Sequence, residues 1–171
     1  MVQKDADGKL ILSDKQIDKA VQKIIKKKKK YKTITFTMLI NYKEVTVVKY
    51  RKLIDLDKLS PSSRRKVVRE YLKKAFSESL IKTVDGKVVG IKSTGGAKKI
   101  LFKSKQRIAL YAGELVQTAQ LSAYKHDDNN DKVNWLYYDS YISFGDVIYY
   151  GRINIKITGD NLSFYEINKI N

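Results

Sequence analysis

The chain has 171 residues, 43% of them hydrophobic, which suffices for one ordinary domain with a packed core or for a domain with a smaller appendage. It contains 35 Lys and Arg residues against 18 Asp and Glu residues, so the formal net charge is +17 and the sequence pI is about 9.8. The absence of cysteine excludes disulfides and thiolate chemistry, and the lack of an apolar run of about 18 residues predicts no transmembrane helix. The N-terminus also lacks the apolar segment of a signal peptide. We therefore expect a cytoplasmic or virion-associated protein with a polyanionic partner, either nucleic acid or an acidic protein, with a membrane surface less favoured.

The first predicted helix runs from about Asp14 to Lys28. Ser13 and Gln16 have the spacing of a capping box, and apolar residues then recur at helical spacing. Five consecutive lysines stand at its end, where cations complement the helix dipole. Five in a row exceed that need, so they are candidate nucleic-acid ligands: Lys26, Lys27, Lys28, Lys29 and Lys30. The alternative is a solvated helix end.

A hairpin and a second helix follow. The β-rich segments Tyr31 to Leu39 and Val45 to Tyr50 predict the hairpin. Ser60 as N-cap and Pro61 at the first helical position predict the helix. Its apolar side carries Val67, Val68, Tyr71, Leu72, Ala75 and Phe76. Its opposite side is strongly basic, as in helices that lie on a nucleic-acid backbone, a partner or a membrane surface. Three of its arginines are candidate nucleic-acid ligands: Arg64, Arg65 and Arg69.

The second half of the chain is predicted to be rich in strands. An Asp85-Gly86 turn predicts a hairpin between Ile81 and Gly90. The elements predicted after it are a helix from about Lys103 to Gln120, a strand from Ser122 to His126, a polar loop from Asp127 to Lys132, and a meander of three strands, Trp135 to Phe144, Val147 to Thr158 and Leu162 to Ile170.

Together these elements predict an α+β fold in which an antiparallel sheet, the C-terminal meander, packs against about three helices. A boundary near residue 80 separates a basic N-terminal part, residues 1–80, from a C-terminal part, residues 81–171. The N-terminal part is small for an independent core, so one core shared by both parts is the alternative. In the second meander strand, alternation places Ile153 and Ile155 on one face and Arg152 and Lys156 on the other.

Several short motifs follow one another in the C-terminal half: STGGAKKIL before the helix, YKH at a strand end, the paired-aromatic WLYYDSYI, the Tyr-rich FGDVIYYGRINIKI and a final LSFYEINKI. In this order, residues 84 to 170 resemble the large polyvalent protein-associated domains and the barnase–EndoU–colicin–RelE-like nuclease domains of phage and mobile-element proteins. The resemblance implies an α+β fold with an antiparallel sheet. It implies metal-independent RNA cleavage for members that keep an active site. Residues 1 to 80 lie outside it.

Metal-independent RNA cleavage requires a base for the 2′-hydroxyl, an acid for the leaving oxygen and cations for the charge on the phosphorane. His126 is the only histidine, and an unperturbed imidazole titrates near pH ~6.5, which suits this work. Arg152 and Lys156 have the spacing to hold one phosphate. These three are the candidate catalytic residues, and the alternative for His126 is an ordinary surface residue.

Two lysines before the third helix, Lys98 and Lys99, are further candidate phosphate ligands, on the expectation that they face one cleft with the candidate catalytic residues. Three meander tyrosines are candidates for stacking on bases, since every base offers a π-face: Tyr138, Tyr149 and Tyr150. Their alternative is core packing and cross-strand pairing. No cofactor and no metal site is predicted, because the polar loop lacks the order of an EF-hand and the glycine-rich segment lacks the P-loop pattern.

Three functions remain open from the sequence. The leading hypothesis is a basic protein of phage or mobile-element origin that engages nucleic acid, RNA rather than DNA, with a C-terminal part that acts as a metal-independent RNase or toxin. The alternative is a non-enzymatic virion, packaging or inhibitor protein of the same fold that binds nucleic acid or an acidic partner. The third is a peripheral membrane protein that uses the second helix and the lysine run.

Overall fold

The computed structural model describes residues 2–49, 54–91 and 106–168. The helices of this part are α1 (Asp14–Lys30), α2 (Pro61–Glu78), α3 (Gln106–Ala109) and α4 (Ala112–Thr118). The strands are β1 (Gln3–Lys4), β2 (Leu10–Ile11), β3 (Ile34–Ile40), β4 (Lys43–Lys49), β5 (Gly90–Ile91), β6 (Gln120–His126), β7 (Val133–Phe144), β8 (Val147–Thr158) and β9 (Asn161–Asn168).

The main sheet has the strand order β3-β4-β7-β8-β9-β5, and β6 also pairs with β7. Strands β7, β8 and β9 form the predicted antiparallel meander. Strand β4 joins β7 in parallel, and β5 joins β9 in parallel, so the sheet is mixed. The α+β prediction is confirmed, and the N-terminal hairpin β3–β4 belongs to the same sheet as the meander.

Strand β7 is the centre of this sheet. One of its edges pairs with β8 along the whole strand, from Val133 to Phe144. Its other edge pairs first with β6, over residues Asn134 to Asp139, and then with β4, over Tyr141 to Ser143. Because β4, β6 and β8 all pair with β7, their registers against β7 determine which of their residues share a face.

The core lies between one face of the sheet and the helices. Helices α2 and α4 lie against this face, and α1 packs against α2. Phe76 of α2 stacks on Phe164 of β9 with ring centroids 5.6 Å apart, and Ile153 and Ile155 of β8 are fully buried. Each such side chain contributes about 1.5–3 kcal/mol relative to exposure. Residues from both predicted parts of the chain lie in this single cluster.

Both long helices begin as the sequence predicts. Ser13 Oγ accepts the Gln16 amide at 3.3 Å, and the Gln16 side chain accepts the Ser13 amide at 2.8 Å, which completes the capping box. Ser60 Oγ accepts the Ser63 amide at 3.2 Å, and Pro61 opens α2. Helix α1 continues two residues past its predicted end, to Lys30.

The prediction of one continuous third helix is wrong within the described residues. Helix α3 ends at Ala109 and α4 begins at Ala112. At the break, the Tyr111 amide donates to the Ile108 carbonyl at 2.9 Å, which is the tighter i, i+3 geometry. The Leu110 carbonyl instead accepts a hydrogen bond from Lys28 of α1 at 2.6 Å. A contact from a distant helix thus uses the carbonyl at the point where the helix is interrupted.

Candidate nucleic-acid interface

The charge of the chain is distributed unevenly. Only five of the 35 Lys and Arg residues stand from Tyr111 onward, against eight of the 18 Asp and Glu residues. The segment that builds α4 and β6 to β9 therefore carries more acid than base, and the excess positive charge belongs to the part that includes α1 and α2. Within it, α1 and α2 alone carry 14 Lys and Arg residues against four Asp and Glu residues, which makes these two helices the candidate surface for a polyanion.

Helix α1 presents a row of lysines to solvent. Lys15, Lys19, Lys23 and Lys27 recur every four residues and are all exposed; we call them the lysine row. Exposed Lys26 and Lys30 flank its end. Successive members of such a row lie about 6 Å apart along the helix axis. Within the described residues none of the four forms an ion pair, so their charge is available to a partner.

Lys28 differs from its neighbours because it points inward. Its ammonium donates to both oxygens of the Glu114 carboxylate at 2.9 Å and to Tyr71 Oη at 2.6 Å, besides the Leu110 carbonyl. It also lies 4.9 and 4.7 Å from the ring centroids of Tyr71 and Tyr111. Burial lowers the pKa of this ammonium, although the Glu114 charge opposes the shift. Lys28 was predicted as a nucleic-acid ligand, but its charge is already paired inside the protein.

The three predicted arginines of α2 lie in different surroundings. Arg64 is only 7% exposed, and its guanidinium lies 3.8 Å from the Asp57 carboxylate. Arg69 is half-buried, and its Nε has no hydrogen-bond partner among the described residues. Arg65 is exposed, with its Nε 3.3 Å from the Pro61 carbonyl. Of the three, Arg65 is the one placed to meet a partner in solution.

The predicted catalytic residues do not lie on one face of the sheet. Directly paired residues share a face, and His126 pairs with Asn134. Arg152 pairs with Asp139 and Lys156 pairs with Trp135. Because side chains alternate along a strand, even-numbered Asn134 and the odd-numbered pair point to opposite faces of β7. His126 is therefore separated by the sheet from Arg152 and Lys156.

His126 itself lies in an exposed polar setting at the end of β6. Its Nδ1 is 2.6 Å from Asn134 Oδ1, and its Nε2 is 3.7 Å from an Asp131 carboxylate oxygen. The hydrogen bond to Asn134 is the main reason why the pKa of the imidazole is raised, and the nearby Asp131 acts in the same direction. These contacts suit a surface histidine that caps the polar loop.

Arg152 and Lys156 lie on the face away from the helices, as alternation predicts. The Arg152 guanidinium lies 4.4 Å from the centroid of the Tyr137 ring. The Lys156 ammonium lies 5.9 Å from the Trp135 ring and 6.0 Å from the Tyr165 ring. Cations over aromatic faces at these distances stabilise the strand pairs by about 0.5–1 kcal/mol each.

The predicted base-stacking tyrosines are engaged within the protein. Tyr138 is 1% exposed in the core, and its hydroxyl donates to Asp85 at 3.1 Å, so its prediction as a stacking residue is wrong. Tyr150 is half-buried and donates to Asp139, and burial together with this hydrogen bond raises its pKa to about 12. Tyr149 meets Phe144 edge-on, with centroids 5.5 Å apart.

Lys98 and Lys99 lie outside the described residues, so their predicted role stays a prediction. In the ranges that the structure describes, no group of three or more His, Asp or Glu side chains is arranged to hold a metal ion. Nor does a helix there combine the length and apolar composition needed to cross a bilayer. No protein-family model, no curated protein and no solved structure matches this chain, so the resemblance to phage nuclease domains stays a prediction.

Proposed function

We propose that this protein binds nucleic acid through the phosphate backbone, with the lysine row of α1 as the main contact. The observation that carries the proposal is the regular spacing of four exposed lysines on one face of a helix, none of which forms an ion pair with another described residue. Each lysine is a compact point charge with three donors, which suits phosphate oxygens without selecting a base. The result is binding with little sequence preference and strong salt dependence.

RNA is the first partner to test, because the motifs of residues 84 to 170 resemble domains that act on RNA. Of the two nucleic-acid hypotheses, the geometry favours binding without cleavage. His126 is on the opposite side of the sheet from Arg152 and Lys156, so these three do not form one site for general acid–base chemistry and phosphate stabilisation.

The binding test compares two variants with the same change in net charge. The first replaces the lysine row by glutamine: Lys15→Gln, Lys19→Gln, Lys23→Gln and Lys27→Gln. The matched control replaces four exposed lysines elsewhere: Lys4→Gln, Lys43→Gln, Lys58→Gln and Lys82→Gln. Affinity for a labelled single-stranded RNA and for a DNA duplex is measured by fluorescence anisotropy at several salt concentrations.

We expect the lysine-row variant to lose affinity much more than the control. The slope of log affinity against log salt should fall by about 0.7 for each phosphate contact removed from single-stranded RNA. Equal losses in the two variants would mean that net charge alone attracts the RNA, and the lysine row would have no special role. The same samples are incubated with EDTA and resolved on a gel. Product bands that His126→Ala abolishes would replace the binding proposal with a nuclease.

A further inference from the structure

A cleft opens where the C-terminal ends of α1 and α2 approach α4. Its volume is about 610 Å³. This is within the range of about 300–1,000 Å³ that is typical of small-molecule sites. The lysine row ends beside it, because residues that immediately follow Lys27 on the chain line one wall.

The floor of the cleft is a set of side chains that neutralise one another. Lys28, Glu114 and Tyr71 are joined by the hydrogen bonds described above, and the Tyr111 ring lies beside them. The Lys28 ammonium and the Glu114 carboxylate cancel in charge, and burial raises the pKa of both tyrosine hydroxyls, that of Tyr111 to about 12. The floor is therefore neutral near pH 7 and holds the helix ends at a fixed separation.

The rim of the cleft is positive. Lys29 and Lys32 line it from α1 and the residues that follow, and Lys74 lines it from α2. None of these three lysines forms an ion pair within the part of the chain that the structure describes. One carboxylate, Glu78, also lies at the rim. Three cations against one anion around a neutral floor make an anion site, and Thr33 adds a hydroxyl donor to the wall.

We propose that this cleft binds the terminal phosphate of a nucleotide, carried either by an RNA end or by a free mononucleotide. A phosphomonoester has a charge of about −1.5 to −2 near pH 7, whereas a phosphodiester inside a strand has a charge of −1. The more highly charged group is favoured by several converging lysines. Because the cleft is closed at its floor, a nucleic-acid strand cannot pass through it, which also favours a terminal phosphate over an internal one. The RNA form of this inference rests on the proposed function, since the lysine row would lead a bound strand to the cleft.

The test uses short single-stranded RNAs of one sequence with a 5′-phosphate, a 3′-phosphate or no terminal phosphate. Their affinities are compared for the wild type, for a cleft variant, Lys32→Gln with Lys74→Gln, and for a control on the lysine row, Lys19→Gln with Lys23→Gln. We expect one of the phosphorylated RNAs to bind the wild type about tenfold more tightly than the unphosphorylated RNA. The cleft variant should lose this ratio. The control should bind all three RNAs more weakly than the wild type does, but it should keep the tenfold ratio between phosphorylated and unphosphorylated RNA.

Binding of adenosine monophosphate, followed by calorimetry, separates the cleft from the lysine row. If RNA binds but a terminal phosphate makes no difference to the wild type, the cleft proposal is overturned and the proposed function stands. If the mononucleotide binds and the cleft variant abolishes this binding, while RNA does not bind, the cleft stands and the proposed function fails. A ratio that both double variants lose equally also overturns the cleft proposal.

Discussion

Replacement of Lys28 by methionine tests the buried ion pair that joins α1 to α4. Lys28 is 13% exposed and Glu114 is 30% exposed. Removal of one partner of a fully buried ion pair costs about 3–5 kcal/mol, because the other charge is left unpaired. Here water in the cleft reaches Glu114, so we expect a smaller loss, about 2–3 kcal/mol in the free energy of unfolding. For a chain of this size, that loss lowers Tm by roughly 5–10 °C.

The loss is measured by urea unfolding followed by far-ultraviolet circular dichroism. Lys27→Met is the control, since this exposed neighbour should change the free energy of unfolding by less than about 0.5 kcal/mol. Glu114→Gln should also destabilise the protein, because it leaves the Lys28 ammonium without its carboxylate. The double variant should lose less stability than the sum of the losses in the two single variants, by about 1 kcal/mol or more. A Lys28→Met protein as stable as the Lys27→Met protein, or strict additivity in the double variant, would refute this account.

Two further predictions concern tyrosine hydroxyls. Tyr138→Phe removes the hydrogen bond to Asp85, so it should lower the free energy of unfolding by about 1 kcal/mol and leave RNA affinity unchanged. Urea unfolding measures the stability, and fluorescence anisotropy measures the affinity. A variant that keeps its stability but loses RNA affinity would show that Tyr138 belongs to the interface. Burial raises the pKa of Tyr71, and that of Tyr111 to about 12, above the ordinary value of 10.0. The native state then holds protons that the unfolded state releases, so these two groups add stability below pH 10 that is lost as the pH rises toward 12. The part of the tyrosinate absorbance that is missing from a variant with Tyr71→Phe and Tyr111→Phe belongs to these two groups, and it should appear in this window together with the loss of circular dichroism. Its complete appearance near pH 10 in a native protein would contradict the prediction.

Most of the elements and much of the core follow from local patterns in the sequence, although the break between α3 and α4 and the burial of Tyr138 do not. The capping residues Ser13 and Ser60 fix both helix starts, because their hydroxyls satisfy amides that no local carbonyl can reach. Alternation in β8 separates Ile153 and Ile155 from Arg152 and Lys156 without any knowledge of the neighbouring strands. The parallel pairing of β4 with β7 does not follow, since it joins segments nearly 100 residues apart through backbone groups that every sequence has.

The sequence also contains a signal for the inward orientation of Lys28, which the prediction of five equivalent lysines does not use. Ile17, Val21 and Ile24 are buried on one side of α1, and Lys28 continues the same spacing of three and four residues. That spacing marks Lys28 as inward and Lys27 as outward. The partners of Lys28 could not be predicted, because Tyr71 and Glu114 lie 43 and 86 residues away from it along the chain. The face that His126 shares likewise depends on its register with β7, and composition does not determine register.

The arrangement of the lysine row carries a cost that itself argues for a function. Like charges at positions i and i+4 destabilise a helix by about 0.2–0.5 kcal/mol per pair, and the four lysines form three such pairs. Replacement of the row by glutamine, which has a similar helix propensity, also removes the favourable interaction of Lys27 with the C-terminal end of the helix. The free energy of unfolding should therefore rise by only about 0.5 kcal/mol at low salt. Salt screens the repulsion, so the gain should shrink as salt is added. Urea unfolding of the variant at two salt concentrations measures both effects. A protein that becomes more stable while its RNA affinity falls would show that the row is retained for binding, whereas a loss of stability would show that these lysines serve the fold.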